Sequence, residues 1–193
     1  MKRICVFCGS NDGLDPRYIE AARMLARILA ANDFGVVYGG SSVGLMGALA
    51  DTAIECGGEV IGVLPQSLME KEIAHTGFTE LRVVNSMHER KAQMADLADG
   101  FVALPGGIGT LEELLEIWTW AQLGDHGKPC ALLNVAGYYD GMVRFFDHIV
   151  AAGFMKSAHR DILIVTDIAE CLIKELRDYT PPIVSKWIGR GAR

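Results

Sequence analysis

Phe101-Val102-Ala103-Leu104-Pro105-Gly106-Gly107-Ile108-Gly109-Thr110-Leu111-Glu112-Glu113 passes from an apolar run, through a glycine-rich turn, into a helical pattern. A short apolar run without alternation fits a strand buried on both faces, as in parallel sheets. Thr110 and Glu113 have the spacing of a capping box, which predicts a helix opening at Thr110 and running to about Leu123. The same strand–turn–helix unit recurs on either side. With 101–104 as one strand, further strands are expected at 4–8, 35–38, 60–64, 81–84, 130–135 and 162–165. Asp15-Pro16 offers an N-cap with proline at the first helical position, opening a helix to about Ala31. Ser86-Met87-His88-Glu89 fits a second capping box, opening a helix through Leu97. Helices are also expected at 44–55, 139–152 and 168–177. Alternating strands and helices predict an α/β fold: an open, doubly wound parallel sheet with helices on both faces. Ligands of such sheets sit beyond the carboxyl ends of the strands, near a topological switch point.

Bulk properties narrow the function classes. The chain has 193 residues, half of them apolar, which suits one well-buried domain over 1–180. Residues 181–193, with Pro181-Pro182, Lys186 and Arg190, read as a C-terminal tail. A net charge of −6 argues against a nucleic-acid partner held by a broad basic face. No apolar stretch approaches the ~18 residues of a membrane span, and the N-terminal apolar run is too short for a signal peptide. The five cysteines are scattered through apolar segments and read as reduced thiols of a cytoplasmic protein. Cys5 and Cys8 form a C-x-x-C, but on a strand they point to opposite faces, and no second ligand pair accompanies them. No metal is expected.

Three glycine-rich segments fall where a strand hands over to a helix: Cys8-Gly9-Ser10, Tyr38-Gly39-Gly40-Ser41-Ser42, and Pro105-Gly106-Gly107-Ile108-Gly109-Thr110. Glycine lets a ligand approach the backbone, and unpaired helix N–H groups bind anions. Neither a Walker A loop nor a G-x-G-x-x-G is present, so the pattern reads as phosphate binding without an ATP or dinucleotide signature. Met87, Arg90, Lys91 and Met94 share one helical face, where a base could rest on thioether while cations meet phosphate or ribose. The competing reading is a surface Arg-Lys pair beside core methionines. Glu113 could be no more than the capping carboxylate, with Glu112 pointing about 100° away. Alternatively, a carboxylate above a phosphate site suits cleavage of a ribosyl–base bond, where it stabilises an oxocarbenium-like charge and orients water. Arg90 then anchors substrate and balances charge, because its guanidinium keeps its proton.

Pro105-Gly106-Gly107-Ile108-Gly109-Thr110-Leu111-Glu112-Glu113 resembles the P-G-G-x-G-T-x-x-E signature of the Lonely Guy (LOG) family, and the resemblance extends over nearly the whole chain. It includes Cys5-Val6-Phe7-Cys8-Gly9-Ser10, the loop from Gly39 to Gly47, Met87-His88-Glu89-Arg90-Lys91 and Thr119-Trp120-Ala121-Gln122-Leu123-Gly124. The resemblance implies a Rossmann-like homodimer that hydrolyses cytokinin riboside 5′-monophosphates, or adenosine 5′-monophosphate, without metal or organic cofactor. It implies Arg90 and Glu113 as the catalytic pair. Substrate contacts are implied at Glu72, Lys91, Gly107, Gly109, Thr110, Glu112 and Thr119. Gly106, Met87, Gly9, Ser10, Gly39 and Gly40 join them from the glycine exits and the helix face. Members were often labelled lysine decarboxylases, but no pyridoxal constellation is readable here. The alternative is a non-catalytic nucleotide or molybdenum-cofactor carrier with the same fold. Trp118-Thr119-Trp120 could serve a dimer interface, but helical spacing favours intramolecular core.

Overall fold

The structure, a computed structural model, describes residues 1–69, 77 and 79–182. Among them run strands β1 (Arg3–Phe7), β2 (Gly35–Tyr38), β3 (Val60–Pro65), β4 (Glu80–Val84), β5 (Gly100–Ala103), β6 (Cys130–Leu133) and β7 (Leu163–Thr166). The long helices are α1 (Pro16–Ala31), α2 (Gly44–Glu55), α4 (Met87–Leu97), α5 (Ile108–Leu123), α6 (Asp140–Ala151) and α8 (Ala169–Asp178). Two single-turn helices, α3 (Gln66–Met69) and α7 (Ser157–Arg160), carry no sequence signal of their own. The strands form one sheet in the order β4-β3-β2-β1-β5-β6-β7, and every neighbouring pair is parallel. The α/β doubly wound sheet expected from sequence is therefore the observed fold, with each expected strand present to within two residues at either end.

The unbroken apolar runs follow from burial on both faces. Ile4, Val6, Val102, Leu104, Ala131 and Leu133 point into a layer built by α1, α2 and α8. Their neighbours Cys5, Phe7, Phe101, Ala103, Cys130 and Leu132 point into the opposite layer, against α4, α5 and α6. Alternation is present in direction even though both directions are apolar. Cys5 and Cys8 accordingly lie in different layers, and burial pushes both thiols up from their ordinary range. Trp118 is core: its ring meets Phe146 edge-on at 4.9 Å, and its indole N–H donates to the His159 carbonyl at 3.0 Å.

Two helix starts follow their signals and one does not. The Asp15 carboxylate accepts from the Arg17 N–H at 2.9 Å, with Pro16 first in α1. Ser86 Oγ accepts from the Glu89 N–H at 3.1 Å, while Glu89 reaches back to the Asn85 N–H at 2.8 Å. The capping box expected at Thr110 does not form. Gly107, in extended conformation, takes the cap position, and α5 begins two residues earlier at Ile108 without any side-chain cap. Glu113 thus lies in the second turn, released from capping. At the far end Gly124, at φ 88°, turns the chain out of α5.

Candidate active site

Strand order reverses beside β1: the chain builds outward through β2, β3 and β4, then crosses back and continues through β5, β6 and β7. The crevice at the carboxyl ends of β1 and β5 is therefore the topological switch point. There the Gly9 N–H donates to the Pro105 carbonyl at 3.1 Å, joining two of the three glycine exits. A cleft of about 220 Å³ opens on them, lined by Gly9, Ser10, Gly106 and Gly107 together with Tyr18 and Tyr138. The first turn of α5 adjoins this cleft, and its N–H groups lack a side-chain cap, which leaves an anion site.

Helix α4 returns from the sheet edge and delivers Arg90 from its first turn. The Arg90 Nε–H donates to the Val63 carbonyl of β3 at 3.0 Å, and Nη1 donates to Glu113 Oε1 at 2.7 Å. The two side chains are only 10% and 11% exposed. Gly39 makes this placement sterically feasible, because a Cβ on it would come within 2.2 Å of Arg90 Nη2. A buried charge pair costs desolvation that hydrogen bonding must offset, and the Val63 carbonyl supplies one of those bonds. Burial pushes the Glu113 carboxyl above its usual range, even though the Arg90 charge pulls the other way.

Lys91 is also buried, against Glu112 and Glu116, whose Oε2 lies 2.9 Å from its ammonium. Burial pulls the Lys91 pKa down, but the hydrogen bonds to Glu112 and Glu116 more than compensate and hold it above the usual lysine value. Two adjacent cations on α4 thus meet three carboxylates on α5, each cation with its own acceptor. The surface-pair reading of Arg90 and Lys91 is overturned by this burial. Adjacent Glu112 and Glu113 do serve separate partners, as their angular separation predicts.

The other residues singled out from sequence divide into groups. Gly9, Ser10, Gly106 and Gly107 line the cleft; Gly109 and Thr110 belong to the first turn of α5 beside it. Gly39 and Gly40 lie behind it, Gly39 against Arg90 and Gly40 against Leu64. The methionine face does not hold together: Met94 is buried in the core, whereas Met87 is exposed at the start of α4. Thr119 is exposed farther along α5, and its hydroxyl donates to the Leu115 carbonyl at 2.7 Å. No contact joins Thr119 to Arg90 or Glu113 among the described residues. Glu72 lies outside the described residues. Sequence reasoning missed Glu116, which stands one turn after Glu112 and is recoverable by i, i+4 spacing. It also missed Tyr138 and Tyr139, although they follow a strand end on the same sheet edge.

Residues 46–176 match the family described as "Possible lysine decarboxylase". A rice protein (Oryza sativa subsp. japonica) named probable cytokinin riboside 5′-monophosphate phosphoribohydrolase is 50% identical over 93% of this chain and 79% of its own length. A cytokinin riboside 5′-monophosphate phosphoribohydrolase of Arabidopsis thaliana is 49% identical over 93% of this chain and 84% of its own. Among solved structures, the molybdenum cofactor carrier protein of Chlamydomonas reinhardtii superposes with a TM-score of 0.68 at 21% identity, covering 92% of this chain and 98% of that one. That likeness shows a shared fold.

Proposed function

The chain belongs to the Lonely Guy (LOG) family, and we propose that it hydrolyses the N-glycosidic bond of adenosine 5′-monophosphates, including N6-modified, cytokinin-type ones, to free base and ribose 5-phosphate. The observation that carries this reading is the buried Arg90–Glu113 pair beside an uncapped helix start at the switch point. A carrier needs the glycine cradle alone; it has no use for a carboxylate desolvated against an arginine. The 5′-phosphate docks on the N–H groups opening α5. Water adds at C1′, the C1′–N electron pair leaves with the base, and the proton given up by water ends on the base nitrogen. Glu113 orients that water and stabilises the positive charge building on the ribose, while Arg90 anchors substrate. The decarboxylase description in the family's label does not fit the residues here. A Schiff-base lysine must be free to lose its proton, and Lys91 is held charged by two glutamates.

Incubation with adenosine 5′-monophosphate and with its N6-isopentenyl derivative tests the proposal. Free base and ribose 5-phosphate in equal amounts are expected, with the phosphate-free nucleoside reacting more than ~10-fold more slowly because remote binding energy is lost. No base from either nucleotide overturns it. The rate ratio of the two nucleotides reports whether the site is built for a prenylated base.

A homodimer and a cytoplasmic location belong to the same proposal. Helix α5 carries exposed Ile108 (81% exposed), Leu115 and Leu123 along one face, an apolar surface suited to a second copy. Sedimentation at micromolar concentration should give twice the chain mass, and a monomer at all concentrations would exclude the dimer. All five cysteines are free, three of them buried, which suits a reducing compartment.

A further inference from the structure

Three consecutive carbonyls of the glycine loop are each engaged by a donor from elsewhere in the protein. The Leu104 carbonyl accepts from the Tyr139 hydroxyl at 2.6 Å, the Pro105 carbonyl from the Gly9 N–H at 3.1 Å, and the Gly106 carbonyl from the Tyr138 hydroxyl at 2.7 Å. A peptide carbonyl facing a phosphate repels it, and a peptide N–H attracts it. Fixing three carbonyls in succession therefore decides which polarity the loop presents to an anion. The next groups along the chain are the uncapped N–H groups of α5.

The two tyrosines are themselves held firmly. Asn134 Oδ1 accepts from the Tyr139 N–H at 2.7 Å, and Asn134 Nδ2 donates to Asp140 at 2.7 Å. The turn between them includes Ala136 at φ 54°, a conformation L residues adopt only where the surroundings enforce it. Tyr138 is 43% exposed, yet its ring is flanked edge-on by Tyr18 at 5.5 Å and Tyr139 at 4.8 Å, and it lines the cleft. A surface tyrosine serving only to fill space has no need for its hydroxyl to be aimed at a glycine carbonyl.

We propose that Tyr138, supported by Tyr139, is a positioning residue that presets the Leu104–Gly106 carbonyls so that the loop offers only N–H groups to the substrate phosphate. The inference rests on the reading of this loop as the phosphate cradle. Tyr138→Phe tests it, since the ring contacts stay and only the hydroxyl bond is lost. Inorganic phosphate is titrated into wild type and variant, following the amide shifts of residues 107–110, and KM and kcat for adenosine 5′-monophosphate are measured alongside. The expected result is phosphate affinity weaker by about tenfold, KM raised by the same factor, kcat within about twofold, and an unchanged melting temperature.

Equal phosphate affinity in variant and wild type overturns the inference and leaves the hydrolase reading standing. So does wild-type protein whose 107–110 amides do not respond to phosphate. If wild type binds phosphate there but turns over no nucleotide, the hydrolase reading fails, and the phosphate titration alone judges Tyr138. A kcat loss without a KM change would place the tyrosine in the chemical step and also overturns it. Tyr139→Phe should lower the melting temperature as well, because its buried hydroxyl is the donor to a buried carbonyl.

Discussion

Replacing Glu113 by glutamine is expected to lower kcat by about 10²–10⁴-fold, the range for loss of a positioned acid–base group. The isostere can still accept from Arg90 Nη1, so nucleotide affinity should change by less than about tenfold. What glutamine removes is the negative charge that stabilises the ribosyl cation and activates water. Stability should change little, because burial already disfavours the charged carboxylate and the amide oxygen still accepts from Arg90. A change within about 1 kcal/mol corresponds to no more than roughly 2–4 °C in melting temperature for a chain of this length. Steady-state kinetics and thermal unfolding read the two effects separately. Had Glu113 been a capping residue, glutamine would have kept both activity and stability, since it serves equally in a capping box. A fully active Glu113→Gln enzyme would therefore remove the carboxylate from the mechanism.

The raised pKa of Glu113 gives this assignment a pH signature. Burial favours the protonated form, so the acid limb of kcat/KM should lie above the range of an ordinary carboxylate. The linked stability effect has the opposite sense. The folded state binds the proton more tightly than the unfolded chain, so this group's contribution is fully present below the unfolded pKa. It is lost as pH rises through the folded value. Activity thus requires the state of Glu113 that the fold favours less, an arrangement common where a carboxylate is kept for chemistry.

Much of this was legible from residue types and spacing, and what was not has specific causes. The seven strands are readable because both faces of the sheet are buried, which makes each strand an apolar run between turns. The start of α5 differs from its sequence pattern because a capping box at Thr110 competes with a glycine three residues upstream. The backbone settles it: the Leu111 N–H donates to the Gly107 carbonyl at 3.2 Å, so the helix is under way before Thr110 could cap it. Arg90 and Glu113 could be nominated, but not paired. Their meeting depends on α4 crossing from the sheet edge at β4 back towards β5, which brings its first turn over β2 and β3. That path is a property of strand order, which local patterns do not encode. Tyr138 and Tyr139 were passed over for the same reason: their partners lie 32 and 35 residues away, on another strand exit.

The Arg90 placement yields a second large effect at a residue with no chemistry of its own. Gly39→Ala should lower kcat/KM by about a hundredfold or more while costing only about 1–2 kcal/mol of stability. The new methyl would fall 2.2 Å from Arg90 Nη2, with Met46 Sδ at 3.0 Å. The guanidinium is the free end of a flexible side chain, so it can swing away without disturbing the backbone. In doing so it must leave Glu113, the Val63 carbonyl or both, and the proposed catalytic pair is broken. Gly44→Ala is the contrast, where the conflict is between main chains. Gly44 sits at φ 63°, and a Cβ there would lie 2.3 Å from the Ser10 carbonyl carbon, an atom that cannot rotate aside. About 3 kcal/mol or more of destabilisation is expected, roughly 6–12 °C in melting temperature, and any activity lost per folded molecule reports the shift of Ser10, which lines the cleft. Measuring kcat/KM per folded molecule and melting temperature for both variants separates a displaced arginine from a damaged fold. Gly39→Ala protein that keeps wild-type kcat/KM would mean that Arg90 can leave Glu113 without consequence, and the catalytic role of the pair would fall with it.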